Sequence, residues 1–222
     1  MTCVLALDIA MNRSGFAEGG PEWNRPRWGV FETAGWRDGG EAVNLVRWGD
    51  FLDERMEANR FTHMVIEHIF VDTRIPKLKA LVALLFKKKM REALSLARSL
   101  AEKPAFDFAA TQAQMMLSGV AVERAARRGI KVFSVTTDEW RERFLGMNRR
   151  PEEAKGDDKF WKPLALRRAA ELGWYCEFHD QAEALGILDC ALAALDKPYR
   201  LRTNPRQARA QADIDNKRGI FA

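Results

Sequence analysis

The chain of 222 residues contains only three cysteines, and no two of them stand at a close paired spacing. An odd count without a pairing pattern argues against a disulfide framework and for a reducing compartment, the cytoplasm. Long apolar runs are also missing. The longest, Ala80 to Phe86, falls far short of the roughly 20 residues needed to span a bilayer, so no membrane association is expected. Met1-Thr-Cys-Val-Leu5 has neither the basic start nor the extended apolar region of a secretory signal. The glycines between Asp8 and Gly20 have neither the spacing nor the lysine of a phosphate-cradling P-loop. Cys176 and His179 have the spacing of half a zinc site, with no second half nearby. What is present is 47% apolar and 30% charged, the composition of a globular protein, with length for one sizeable core and little room for two.

The net charge of +5 conceals a division. Residues 74–103 carry nine basic and two acidic side chains, and residues 197–222 carry seven and two, so the rest of the chain is acidic, at −7. An acidic body with basic appendages suits an enzyme that works on a polyanion, because lysine and arginine neutralise phosphates and carboxylates gather metal. Solvated helix faces would leave the same count.

Short apolar runs at Val4–Leu7, Phe16-Ala17, Trp28–Phe31, His63–Glu67 and Ile130–Val135 read as strands. Amphipathic helices are expected over 42–58, 109–127, 138–145, 159–172 and 181–195. A further helix opens at Pro76, with Lys77, Lys79, Lys87, Lys88 and Arg91 largely outside its apolar stripe, and Pro104 closes it. Residues 146–158 read as a polar loop. The order predicts one mixed α/β domain over 1–198, interrupted by a basic helical insertion near 74–106 and followed by a basic tail over 199–222.

Asp8 and Glu67 each end an apolar strand. On neighbouring strands they would repel, a conflict that a divalent cation removes. Asp180 and Glu183 stand three apart at a helix start, where they can share a face. The same spacing also describes a capping box with Asp180 as N-cap and Glu183 as its partner, and the sequence leaves both readings open.

Taken together, these pieces resemble the RuvC family of Holliday junction resolvases, within the RNase H-like superfamily. Leu5-Ala-Leu-Asp8, followed by Ser14-Gly15, resembles the family's first strand and the hydroxyl-glycine pair beyond it. Val65-Ile-Glu67-His-Ile-Phe70 resembles the strand bearing the catalytic glutamate, and Asp180-Gln-Ala-Glu183-Ala-Leu its last acidic helix. Val135-Thr-Thr-Asp-Glu-Trp-Arg141, then Gly146 and Lys159, is a weaker fourth match. The matches are collinear from residue 4 to about 195, apart from 74–106. Glu183 stands where the family usually has aspartate, and Asp8 is followed by Ile-Ala in place of Pro-Gly. Longer members with such departures are common in phage and mobile-element genomes.

The resemblance implies an RNase H-like mixed five-stranded sheet flanked by helices. It implies that Asp8, Glu67, Asp180 and Glu183 hold two Mg²⁺ or Mn²⁺ ions for phosphodiester hydrolysis, with His179 close behind them. Phe70 would meet bases at a crossover. Lys155 and Lys159 would meet phosphate near the site, and Lys77, Lys79, Lys87 and Lys88 a junction arm. The implied substrate is branched or four-way-junction DNA, cut by a homodimer. Three alternatives stand beside it: another RNase H-like nuclease acting on hybrid, flap or duplex; a branched-DNA binder that does not cut; and a kinase-like ATPase, for which the chain is short.

Overall fold

The computed structural model describes residues 2–23, 25–33, 36, 40–68, 92, 108–157 and 159–202. Strands β1 (Val4–Asp8), β2 (Arg13–Gly19) and β3 (Arg27–Glu32) open the chain, followed by helix α1 (Glu41–Ala58) and strand β4 (His63–Glu67). Then come α2 (Phe108–Arg127), β5 (Lys131–Val135), α3 (Thr137–Leu145), a 3-10 turn at Glu152–Ala154, α4 (Trp161–Glu171), α5 (His179–Leu195) and α6 (Lys197–Arg202). The sheet has the order β3-β2-β1-β4-β5; β2 is antiparallel to both of its neighbours, while β1, β4 and β5 run parallel. This is the expected mixed five-stranded sheet. Of the expected insertion at 74–106, all but Glu92 lies outside the described residues, as do 203–222 of the expected tail. The chain is helical through Arg202, past the expected boundary at 198. No described helix is long and apolar enough to cross a membrane.

Strand alternation divides the core. Leu5 and Leu7 of β1, with Met64 and Ile66 of β4, face a layer formed by α1 and α2, where Trp48, Leu52 and Leu117 are buried. Val4 and Ala6, with Val65, face the opposite layer of α3, α4 and α5. The parallel register sets Leu7 beside Ile66, so Asp8 and Glu67, one residue further on, emerge level with each other and on the α5 face.

Helix α5 is the centre of that layer. Its buried residues run almost all round it, from Asp180 to Ala193, as expected of a helix enclosed by protein. Small residues let it approach closely. A Cβ on Gly15 of β2 would lie 2.0 Å from the carbonyl oxygen of Asp180, and one on Gly186 of α5 would lie 2.8 Å from the Trp140 ring. Ser14 holds the β1–β2 turn from within, its Oγ donating to the Ala10 carbonyl and accepting the Ala10 N–H, each at 3.2 Å.

Two glycine substitutions separate close approach from mere flexibility. Gly15→Ala is expected to destabilise by about 3 kcal/mol, because the new methyl meets backbone that cannot yield. Gly119→Ala, in α2 with nothing within 4 Å of its added Cβ, is expected to stabilise by about 0.5–1 kcal/mol. Urea unfolding of both variants measures the contrast.

Candidate functional site

Asp8 and Asp180 are buried, at 8% and 7% exposure, and Glu67 and Glu183 are half-buried beside them. Asp8 and Glu183 are in hydrogen-bond contact, and Glu67 and Asp180 lie near enough to act on Asp8 electrostatically. Burial, then the charges of Glu183, Glu67 and Asp180, push the Asp8 carboxyl well above the ordinary carboxylate range. Burial also pushes Glu183 up, to about 7, with Glu67 and Asp180 adding to the rise while Arg141 and Lys162 oppose it. The four carboxylates singled out in the sequence therefore meet in one place.

The capping-box reading of Asp180 and Glu183 does not hold. The N-cap of α5 is Phe178. Gln181 supplies the reciprocal contact, its Oε1 accepting the backbone N–H groups of Glu177 at 2.9 Å and Phe178 at 3.2 Å. With the helix end satisfied two residues earlier, Asp180 and Glu183 are free to point at the sheet.

Glu67 is aimed by α3. Thr137 Oγ1 and Trp140 Nε1 both donate to its Oε1, at 2.6 and 2.9 Å. Trp140 is itself fixed, 1% exposed and seated against Gly186. The start of α3 is set by a capping box in which Thr136 Oγ1 accepts the Glu139 N–H at 3.2 Å and Glu139 Oε2 accepts the Thr136 N–H at 2.7 Å.

Asp180 is engaged from two sides. Arg13 Nε donates to its Oδ2 at 2.5 Å, and His179 Nε2 lies 3.1 Å from its Oδ1. The Arg13 guanidinium also lies 4.1 Å from the centre of the Phe178 ring. Burial lowers the His179 imidazole from its ordinary value, against the pull of Asp180. His179, Asp180 and Glu183 each offer a ligand atom within 4.8 Å of the other two. His179 is thus placed as a candidate ligand and not only behind the carboxylates. An open groove of about 610 Å³ passes Asn12, Arg13, His179 and Asp180.

The basic residues at the centre differ from those expected. Lys155 is exposed and pairs with Glu152 at 3.0 Å, and Lys159 is exposed, with its backbone N–H on Asp157. Neither touches the carboxylates. Arg141, quoted in the sequence match but given no role, acts electrostatically on both Glu183 and Glu67. Its guanidinium lies 4.6 Å from the centre of the Trp161 ring, and its Nε is buried with no hydrogen-bond partner among the described residues. Arg13, too, carried no sequence signal beyond its position between Asp8 and Gly15. Phe70, Lys77, Lys79, Lys87 and Lys88 lie outside the described residues.

The donor set fits a hard divalent cation. It is dominated by carboxylate oxygens, two of the acids are buried, and their crowding raises Asp8 and Glu183 in a way that a cation would reverse. A different cavity, of about 300 Å³, lies at the far end of β2 between Trp23, Trp174 and Tyr199, and no carboxylate lines it.

The fold is that of RuvC. The chain is similar to the Thermus thermophilus RuvC structure, with a TM-score of 0.55 and 13% identity over 91% of this chain and 98% of that one. It is also similar to T. thermophilus RuvC in complex with Holliday junction substrate, with a TM-score of 0.51 and 11% identity over 84% of this chain and 90% of that one. No family model matches the chain, and no curated protein matches it.

Acids held above their ordinary values make the metal-free fold weaken as pH rises. Between about 4.5 and about 7 the folded chain keeps a proton on Glu183 that the unfolded chain releases, so stability falls through that interval and the loss is complete above it. In chelator, the melting temperature is expected to drop by about 5 °C or more between pH 5.5 and pH 8. Glu183→Gln should flatten this dependence, and Mg²⁺ should raise the melting temperature more at pH 8 than at pH 5.5. Differential scanning fluorimetry across the interval tests all three outcomes.

Proposed function

We propose that this chain, on its RuvC fold, is a metal-dependent endonuclease that resolves four-way or branched DNA junctions. The observation that carries the reading is the meeting of Asp8, Glu67, Asp180 and Glu183 on the α5 face at one end of the parallel strands. Asp8, Glu67, Asp180 and Glu183 would hold two Mg²⁺ or Mn²⁺ ions, with His179 in reach as a further ligand. When bound, such ions supply charge neutralisation at the scissile phosphate and activate the attacking water.

The chain's own side chains prepare that chemistry. Thr137 and Trp140 both hold the Oε1 of Glu67, which leaves its Oε2 to meet a cation. Arg141 brings a positive charge to Glu183 and Glu67, where it would also help to neutralise a substrate phosphate. It is pinned by Trp161, so little side-chain freedom is lost when phosphate arrives. The groove past Asn12 and Arg13 leads a strand toward the carboxylates.

Lys155 and Lys159, on the loop before α4, would meet phosphate near the site. Phe70 at a crossover, and Lys77, Lys79, Lys87 and Lys88 on a junction arm, rest on the sequence alone. A homodimer would set two such centres for paired cuts on a two-fold substrate. The three free cysteines suit a cytoplasmic setting.

Incubation with a mobile four-way junction, a matched linear duplex and an RNA–DNA hybrid, in Mg²⁺, Mn²⁺ and chelator, tests the reading. Paired symmetric nicks are expected on the junction alone. Asp8→Asn, Glu67→Gln, Asp180→Asn and Glu183→Gln should each lower the rate by roughly 10³-fold or more. Cutting of the hybrid or of every substrate would remove the junction assignment and keep the nuclease. Tight junction binding without cleavage in either metal would instead make the chain a binder.

For Arg141→Ala, junction cleavage is expected to fall by roughly 10²-fold, with Arg141→Lys recovering part of it. Single-turnover rates with saturating enzyme decide this. A rate for Arg141→Ala equal to that of the unaltered chain would leave the guanidinium a packing role against Trp161.

A further inference from the structure

The centre is not uniform in how its charge is met. On one side, Asp8 and Glu183 touch each other and Glu67 faces them; Arg141 acts on Glu183 and Glu67 through space, and among the described residues the Oε1 of Glu67 is bonded only by the neutral donors of Thr137 and Trp140. On the other side, both oxygens of Asp180 are engaged, Oδ2 by Arg13 and Oδ1 by His179. The cation that faces Asp180 is therefore part of the chain.

We infer that Arg13 is a built-in counter-cation that keeps the Asp180 side of the centre closed to a second divalent ion until the substrate draws it away. The inference rests on the metal-dependent reading above and adds an order of filling to it. The first ion enters among Asp8, Glu67 and Glu183, where crowded carboxylates have no bonded cation among the described residues. The second position, with donor atoms from His179, Asp180 and Glu183 within 4.8 Å of one another, is of the right size for an ion. An ion placed there with Arg13 on Asp180 would stand against a like charge.

Three features hold Arg13 at Asp180. Its Nε meets Oδ2 at 2.5 Å, its guanidinium lies over the Phe178 ring at 4.1 Å, and its backbone opens β2 directly after the turn pinned by Ser14. A DNA phosphate is suited to release it. Two phosphate oxygens accept the guanidinium fork in parallel, whereas Asp180 is met here through a single Nε contact. The Arg13 side chain is 27% exposed and lines the open groove with Asn12 and His179, so a strand lying there reaches it. Arg13 is thus a positioning residue whose departure couples arrival of the strand to completion of the centre. The chain would hold one ion at rest and two when a phosphate is present, which guards a two-ion centre against idle loading.

The test is Mn²⁺ titration of the full chain without DNA, followed by calorimetry and by electron paramagnetic resonance. The unaltered chain should bind one Mn²⁺ tightly and a second at least tenfold more weakly, giving the spectrum of an isolated ion at low loading. In Arg13→Gln and Arg13→Met the second ion should tighten at least tenfold and produce the signature of a spin-coupled pair. Arg13→Met keeps an apolar stem on Phe178, and Arg13→Lys keeps the charge. The lysine variant should retain the one-then-two order, which a purely structural role for Arg13 does not predict. Adding Asp180→Asn to Arg13→Gln should abolish the second ion. Equal affinities and stoichiometries in the unaltered chain, Arg13→Gln and Arg13→Met would overturn the inference and leave the metal centre standing. So would a lysine variant that behaves like the glutamine one. Failure of every form to bind Mn²⁺ would overturn the metal-dependent reading, and this inference with it.

Discussion

Repulsion among Asp8, Glu67, Asp180 and Glu183 is the constraint to which much of this domain answers. Burial first, and then the charge of the neighbouring acids, holds Asp8 and Glu183 above their ordinary values. Such a cluster opposes folding, so it persists only because the surrounding packing forces it. That packing is the seating of α5 on β1 and β2, with Gly15 against the Asp180 carbonyl and Gly186 against Trp140. Burial of Leu185, Ile187, Leu188 and Leu192 along the same helix offsets the strain at its first turn.

The remaining groups around the centre relieve or direct that charge. Arg13 and Arg141 approach it from β2 and from α3, and Thr137 and Trp140 fix one oxygen of Glu67. These residues come from two elements, β2 and α3, and none of them is adjacent in sequence to the carboxylate it serves. The similarity to RuvC extends over most of both chains at 11–13% identity, so what is shared is the fold.

Much of this was legible beforehand. Short apolar runs ended by Asp8 and Glu67 marked two strands of the sheet, and their level emergence follows from parity once the strands are parallel neighbours. The spacing of Asp180 and Glu183 placed both on one face of a helix but could not separate a metal ligand from a cap. Gln181 takes the capping role, which removes the second reading. The basic residues were the least legible. Arg13 and Arg141 lie far along the chain from the carboxylates they meet, so nothing local marked them.

Strand and helix periodicity and the acid at the end of each strand are local properties, and the sequence alone determined them because each depends on neighbours within a few positions. Which cations meet the acids is a different kind of fact. The Arg13–Asp180 contact spans 167 positions, and the Trp140–Glu67 contact spans 73. Charge acts over ångströms of space and not along the chain, so only the seating of α5 and α3 on the sheet could decide which arginine reaches which carboxylate.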